Sequence, residues 1–227
     1  AGLPGNPSAL HGIGRAARRR VEESREEVAE LVGCHPSEVL FTSGGTEGDN
    51  LAIKGTYRAT RRIDDARRRL VVSGIEHHAV LDAVEALVAH EGAAVTWVEP
   101  TSDGVITAAA VRAAIEADGG PRTVALVSVM WANNEVGTVQ PIAEIGAVCA
   151  EFAIPFHTDA VQAAGHLPVD FAGSGVDLMS VSAHKFGGPL GIGALIAKRH
   201  ARLVALSHGG GQERGLRSGT LDVPAIR

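Results

Sequence analysis

Val39-Leu40-Phe41-Thr42-Ser43-Gly44-Gly45-Thr46-Glu47 is the stretch on which the fold turns. A β-rich run passes through a small-residue turn and opens a helical window from about Thr46 to Arg62. At such a junction the first backbone N–H groups have no acceptor inside the helix and lie at the positive end of its dipole. With the hydroxyls of Ser43 and Thr46 beside them, they make an anion cradle. A tight turn with Thr46 as N-cap fits the same letters equally well.

Strand and helix patterns keep alternating on both sides of this unit. Upstream, Ile13, Ala17, Val21, Val28 and Leu31 recur at helical intervals after Gly12-Ile13-Gly14, and Gly33 supplies a stop. The first strand then covers Glu38 to Thr42. Downstream, Leu70 to Ser73 and Val95 to Val98 read as strands, with a helix between them marked by Val80, Val84, Leu87 and Val88. Val111 to Ala117 lies on a helix closed by Gly119-Gly120. Thr123 to Met130 is the most β-branched run and predicts a central strand buried on both faces. Pro141 suits the N1 position of a helix whose inner face carries Ile142, Ile145, Val148 and Phe152. Ile154 to Thr158, Val176 to Ser182 and Gly193 to Ala197 predict three more strands. This alternation is the signature of an α/β fold, here one layered sheet domain. His208 to Thr220, rich in glycine and arginine, reads as an exposed functional loop.

Composition narrows the function classes. The 227 residues are 45% hydrophobic and 21% charged, an ordinary globular balance that rules out a disordered chain. A formal charge of -5 gives no whole-chain basic field, so direct nucleic-acid binding is not expected. The longest charge-free apolar stretches fall short of the ~18 residues of a spanning helix, so no membrane association is expected either. Cys34 and Cys149 cannot form a disulfide framework, and no cationic and apolar leader opens the chain. A cytoplasmic location is the expectation.

Three more stretches carry chemistry. Asp177 to Pro189 is a strand that delivers Ser182, His184 and Lys185 to its carboxyl end, followed by Gly187-Gly188. A lysine directly after a near-apolar strand reads as a Schiff-base amine with a pKa depressed by burial or neighbouring charge, or as an amine simply reaching solvent. Ile154 to Gln162 places Asp159 at a strand end, where open α/β sheets hold ligands; a helix N-cap is the alternative. Glu76-His77-His78 follows a strand, and His77 could lie flat on an aromatic ligand, bind a metal or cap the helix. Together they give an anion cup, an imidazole, a carboxylate and a lysine on four successive strand ends. Pyridoxal phosphate requires that set: lysine for its aldehyde, carboxylate for its ring nitrogen, anion cup for its phosphate.

With these motifs stand Gly5-Asn6-Pro7-Ser8, Asn133-Asn134-Glu135-Val136-Gly137 and Gly211-Gln212-Glu213-Arg214-Gly215-Leu216-Arg217-Ser218-Gly219-Thr220. Taken in order over nearly the whole chain, they resemble a cysteine desulfurase of the class V aminotransferase superfamily. The resemblance implies a three-layer, fold-type I large domain spanning 1–227, with a mainly parallel mixed sheet between helices. It implies that Lys185 bonds the cofactor aldehyde and moves the substrate α-proton, and that Asp159 pairs with the ring nitrogen. His77 would stack on the ring and take part in proton transfer, while Asn134 and Gln162 hold its phenolic oxygen. Gly45, Thr46, Ser182 and His184 would bind the phosphate, and Thr220 would reach the phosphate of a neighbouring subunit in a homodimer. The implied reaction converts L-cysteine to L-alanine and passes sulfur as a persulfide to an acceptor protein of iron–sulfur cluster assembly or thiolation. No metal is implied.

In the family the nucleophilic thiol sits on a loop well after the Arg-Ser-Gly-Thr motif, in a C-terminal small domain. That loop, a substrate-carboxylate arginine and the family's start are expected to lie outside the 227 residues, leaving a cofactor-binding core expected to be inactive alone. Cys149, on the apolar helix face, reads as inert, and the motif around Cys34 does not match the family nucleophile. Selenocysteine lyase, another class V aminotransferase-like enzyme, and a non-catalytic scaffold keeping the fold are the alternatives. Gly12-Ile13-Gly14-Arg15-Ala16-Ala17 imitates a dinucleotide fingerprint with no strand before it. Arg18-Arg19-Arg20 precedes Glu22, Glu23, Glu26 and Glu27 and reads as a solvated, ion-paired helix face, while Arg67-Arg68-Arg69 is a second basic run. Glu76, His77, His78, His157, Asp159 and His184 lack the one-helix spacing of zinc hydrolases.

Overall fold

Pairing between strands sets the architecture. The computed structural model describes residues 5–227, so the first four positions of the expected domain lie outside the described residues. The strands are β1 (Val39–Thr42), β2 (Arg69–Ser73), β3 (Ala94–Val98), β4 (Val124–Ser128), β5 (Phe156–Asp159), β6 (Leu178–Ser182) and β7 (Gly193–Ala197). They form one sheet in the order β1-β7-β6-β5-β4-β2-β3. Only β7 runs against its neighbours, pairing antiparallel with both β1 and β6. The carboxyl ends of β1, β2, β4, β5 and β6 therefore share one edge, the mainly parallel mixed sheet that was expected. The strand ends bearing the motifs are not successive, however. β3 and β4 intervene in sequence between those of His77 and Asp159, and β7 separates β1 from β6 in space.

Helices cover both faces. α2 (Gly45–Ile63) and α3 (His78–Glu91) pack Leu51, Ile53, Tyr57, Val80, Val84 and Leu87 against Leu70, Val72, Leu126 and Leu178. On the other face lie α4 (Ala108–Glu116), α5 (Ile142–Glu151) and the end of α1 (Gly12–Val32), burying Val111, Ile115, Ile145 and Val32 against Val71, Val127 and Met179. Neighbouring strand residues such as Leu70 and Val71 thus belong to opposite cores, as the two-residue pleat requires. β4 is buried at every position, as its β-branched composition predicts. A short α6 (Val223–Ile226) closes the described chain, and among the described residues no helix is long and apolar enough to cross a membrane.

Several local readings shift. Ile13 and Leu31 are exposed, at 52% and 41%; the buried stripe of α1 runs instead through Ala17, Val21, Arg25, Ala29 and Val32. Leu31 lies one residue, about 100° of helix, off that stripe. Gly33 does end α1 in the left-handed conformation at φ 67°. Pro141 is the N-cap of α5 rather than N1, because its ψ of 65° is not helical. β5 starts at Phe156, since Pro155 has no N–H for the ladder; its carbonyl still accepts from Val127. On α1, Glu22 pairs with Arg25, and Arg18 donates to the Pro7 carbonyl, so the ion pairing expected of Arg18-Arg19-Arg20 takes a different form.

Arg69 is not part of a basic patch. Its side chain is buried and its guanidinium donates to the carbonyls of Ala114, Ile115 and Ala117 at 2.6–2.9 Å, closing the carboxyl end of α4 from the first residue of β2. Charged donors on terminal carbonyls satisfy groups the helix leaves open. Arg69→Met should lower unfolding free energy by about 1.5–3 kcal/mol, the worth of hydrogen bonds to a charged group. Urea denaturation showing no loss would mean that α4 is held by packing alone.

Candidate active site

Each end of the shared edge is shaped by its own sequence. After β1, Gly44 takes φ 149°, a conformation that favours glycine, and becomes the N-cap of α2. Thr46 is therefore inside the helix, not its cap, and the first turn has no side-chain cap. Gly45 lies so close to the β5 turn that a Cβ would stand 2.7 Å from Val161 Cγ2. That approach brings the open N–H groups of α2 beside Asp159. Asp159 Oδ1 accepts the Val161 N–H at 2.8 Å, and no helix follows it, so it is not an N-cap. His77 is an N-cap: its Nδ1 accepts the Ala79 N–H at 3.1 Å at the start of α3. The bond leaves the proton of a neutral ring on Nε2. Ser182 Oγ lies 2.9 Å from His184 Nδ1 in the turn after β6.

These ends enclose a cavity of about 210 Å³ lined by Gly45, Thr46, His77, Asn134, Asp159, Gln162, Ser182, His184 and Lys185. Asp159 and Ser182 form a buried floor; Thr46, His77, Asn134, His184 and Lys185 form an exposed rim. Lys185 is thus not buried, contrary to the reading that burial activates its amine, yet it opens on the same cavity as Asp159. Thr220 is exposed and does not line this cavity. Its loop is less free than expected. Glu213 is buried, pairs with Arg25 at 2.8 Å and accepts the Phe41 N–H, while Arg217 reaches Glu47 at 2.8 Å. Burial alone would raise Glu47, but Arg217 and Ser43 outweigh it and hold this carboxyl below its usual range.

Sequence reading missed the layer beneath as a unit, naming Glu76 and His157 only as metal-ligand candidates and Asp49 not at all. Asp49, on α2, lines the cavity and is 1% exposed. Glu76 Oε1 accepts the Ser73 hydroxyl at 2.5 Å and the Met130 N–H at 2.6 Å, tying the loop before His77 to the end of β4. Asn133 adds a second tie by donating to the Ile75 carbonyl. His157 lies between Ser128 and Ser180, at 2.9 and 3.1 Å. The available signals were spacing: Asp49 falls three residues after Thr46 on one helix face, and His157 two residues before Asp159 on one strand face.

Burial dominates the electrostatics. It pushes Asp159 and Asp49 up to about 7, each carboxyl lying close to other buried groups. Burial, with Asp159 and Asp49 adding to it and Ser73 and Met130 opposing, pushes Glu76 up to about 8. Burial pulls His157 down to about 4 against the attraction of Asp159. Both thiols rise to about 12, Cys34 through burial and Glu38, Cys149 through burial and Asp177, so neither is a ready nucleophile. Among the described residues no three metal-ligating side chains converge.

The family model for aminotransferase class-V matches residues 2–224. An IscS-like cysteine desulfurase of Mycobacterium tuberculosis is 58% identical over 219 residues, 96% of this chain and 55% of that protein. Among solved structures, SspA in complex with cysteine superposes with a TM-score of 0.89 at 42% identity, over 98% of this chain and 62% of that one. A NifS-like protein gives 0.90 at 39% identity, over 98% and 59%. The chain spans about half the length of the curated relatives it matches.

Glu76 yields a pH test. Its folded value of about 8 lies above the ~4.3 of an exposed glutamate, so the folded chain keeps a proton that the unfolded chain releases. The stability tied to that proton is complete below about pH 4 and is lost as pH rises through about 8. Glu76→Gln is neutral throughout, so it should gain stability relative to the unsubstituted protein between about pH 5 and pH 9. A constant difference across that range in chemical denaturation sinks the assignment.

Proposed function

The chain belongs to the aminotransferase class-V family, and from that premise we propose that it is the cofactor-binding domain of a cysteine desulfurase. The family's cofactor is pyridoxal 5'-phosphate. One observation carries the reading: every residue expected to hold that cofactor, apart from Thr220, lines one cavity at the carboxyl edge of the sheet. The donor set fits the group. The uncapped first turn of α2, with Ser182 and His184, suits a phosphate. Asp159 has one oxygen engaged by Val161, and no hydrogen bond among the described residues engages the other. A buried carboxylate of this kind suits a protonated ring nitrogen.

When bound, pyridoxal phosphate supplies an aldehyde that captures amines and an electron sink for carbanion chemistry. The protein's own groups do the rest. Lys185 would hold the cofactor through its amine, and the same amine would move the proton at the substrate α-carbon. Asp159 would face the ring nitrogen and favour its protonated form. His77, fixed by its cap to Ala79, presents its ring to the cavity and serves in proton transfer. Asn134 and Gln162 orient the ring's phenolic oxygen. The net reaction takes L-cysteine and an acceptor thiol to L-alanine and a persulfide. With Cys34 and Cys149 both held as thiols, the attacking sulfur comes from another segment or molecule.

Thr220 is exposed and outside this cavity, which leaves it available to the phosphate site of a second copy in a homodimer. The sulfur acceptor in this reading is a protein of iron–sulfur assembly or thiolation, and the location is the cytoplasm; relatives named cysteine desulfurase support the sulfur-transfer part of it. The test is borohydride reduction of the full-length protein loaded with cofactor, followed by peptide mapping and product analysis with L-cysteine. A pyridoxyl group on Lys185, with alanine and persulfide sulfur in equal amounts, is the expected result. Lys185→Ala should lower turnover by about 10²–10⁴-fold, the usual worth of a positioned proton-transfer group. No label at Lys185, or no alanine, overturns the assignment.

A further inference from the structure

Five polar side chains lie under the cavity without a place in the scheme above. Ser128, His157 and Ser180 come from the adjacent strands β4, β5 and β6, and their side chains form a hydrogen-bonded row across the sheet face that α2 covers. Asp49 reaches this row from α2, with Oδ1 3.5 Å from His157 Nε2, and Glu76 stands at the end of β2. All are buried. Asp49 Oδ1 has no hydrogen-bond partner among the described residues, and Asp49 also lines the cavity.

We propose that Asp49 is a positioning residue that acts through Asp159: it retains a proton inside the buried Ser128–His157–Ser180 row, so that Asp159 alone carries the negative charge facing a bound ring nitrogen. The inference rests on the cofactor site proposed above. Hydrogen bonding orders the two acids. Asp159 Oδ1 is stabilised as an anion by the Val161 N–H, whereas Asp49 Oδ1 has no partner and only the Ser180 hydroxyl favours the Asp49 anion. Ser180 has one hydroxyl proton for both Asp49 and His157 Nε2.

Charge from other elements does not reverse this order. β5 brings His157 and Asp159; the β2 end brings Glu76 and His77; the turn after β6 brings His184 and Lys185 on the rim. β1, β4 and β7 carry no titratable side chain. His157, which burial keeps neutral, gives Asp49 no counter-charge. Two ionised carboxylates against one ring cation would leave an uncompensated charge in a nearly dry floor, so the two acids titrate as a pair.

The pair predicts which proton leaves first. Carboxyl bands of the full-length protein carrying Glu76→Gln, which removes the Glu76 step, are followed by infrared spectroscopy against pH, without cofactor, alone and with Asp49→Asn or Asp159→Asn added. Asp49→Asn mimics the protonated acid, so the Asp159 step should stay in place while the higher-pH step disappears. Asp159→Asn should remove the lower step and let Asp49 titrate earlier. Pyridoxal phosphate affinity near pH 6 should stay within about twofold for Asp49→Asn and fall for Asp159→Asn, a contrast that mere loss of packing would not give. If Asp49→Asn lowers the Asp159 step, or both steps survive it, the proposal is wrong. Asp49→Ser, read the same way, decides the matter if the amide variant does not fold. Unsubstituted protein that takes up no pyridoxal phosphate overturns the cofactor reading instead, and the cofactor-free titration still judges Asp49.

Discussion

Strand direction is the constraint from which the site follows. β7 is inserted antiparallel between β1 and β6, so β1 points the same way as the parallel strands beyond. Were β1 paired directly and antiparallel to β6, the glycine turn after it would open at the opposite edge, a strand length from Asp159. With β7 as spacer, the first turn of α2 arrives beside the β5 and β6 turns, and Gly45 permits its contact with Val161. A strand with no part in the chemistry thereby places the anion cradle.

The rim of the site is made by short local rules and its floor by long-range packing. Gly44, His77 and Asp159 are set by side-chain-to-backbone hydrogen bonds with residues two positions away, which is why strand-turn-helix patterns pointed to them. Stitching at the strand ends holds these local units in register. Trp131 N–H donates to the Asp159 carbonyl, Asn133 to Ile75, and Met130 N–H to Glu76.

Reading the chain residue by residue found the α/β alternation, the cradle, His77, Asp159 and Lys185, and the family resemblance added Asn134, Gln162, Ser182 and His184; these site residues line a single cavity. It did not find Asp49, Glu76 or the His157 row as a buried unit, because their significance depends on which strands become neighbours. Ser128 and His157 pair only once β4 lies beside β5. Likewise Arg69 read only as one member of a basic run, and only the approach of α4 to the start of β2 turns it into a helix closure. Lys185 was legible in both respects, its position after β6 and, in the solvent-reaching alternative, its exposure.

The Arg217–Glu47 pair has an electrostatic corollary. Glu47 occupies the first turn of α2, where its carboxylate competes with any arriving anion for the same partial positive charge. Arg217 masks that competitor locally, so the glycine-rich segment acts as a tethered counter-ion for the cradle. Swinging the segment away would unmask one unit of repulsion at the helix mouth, making the posture of a distant loop part of the phosphate site's charge balance.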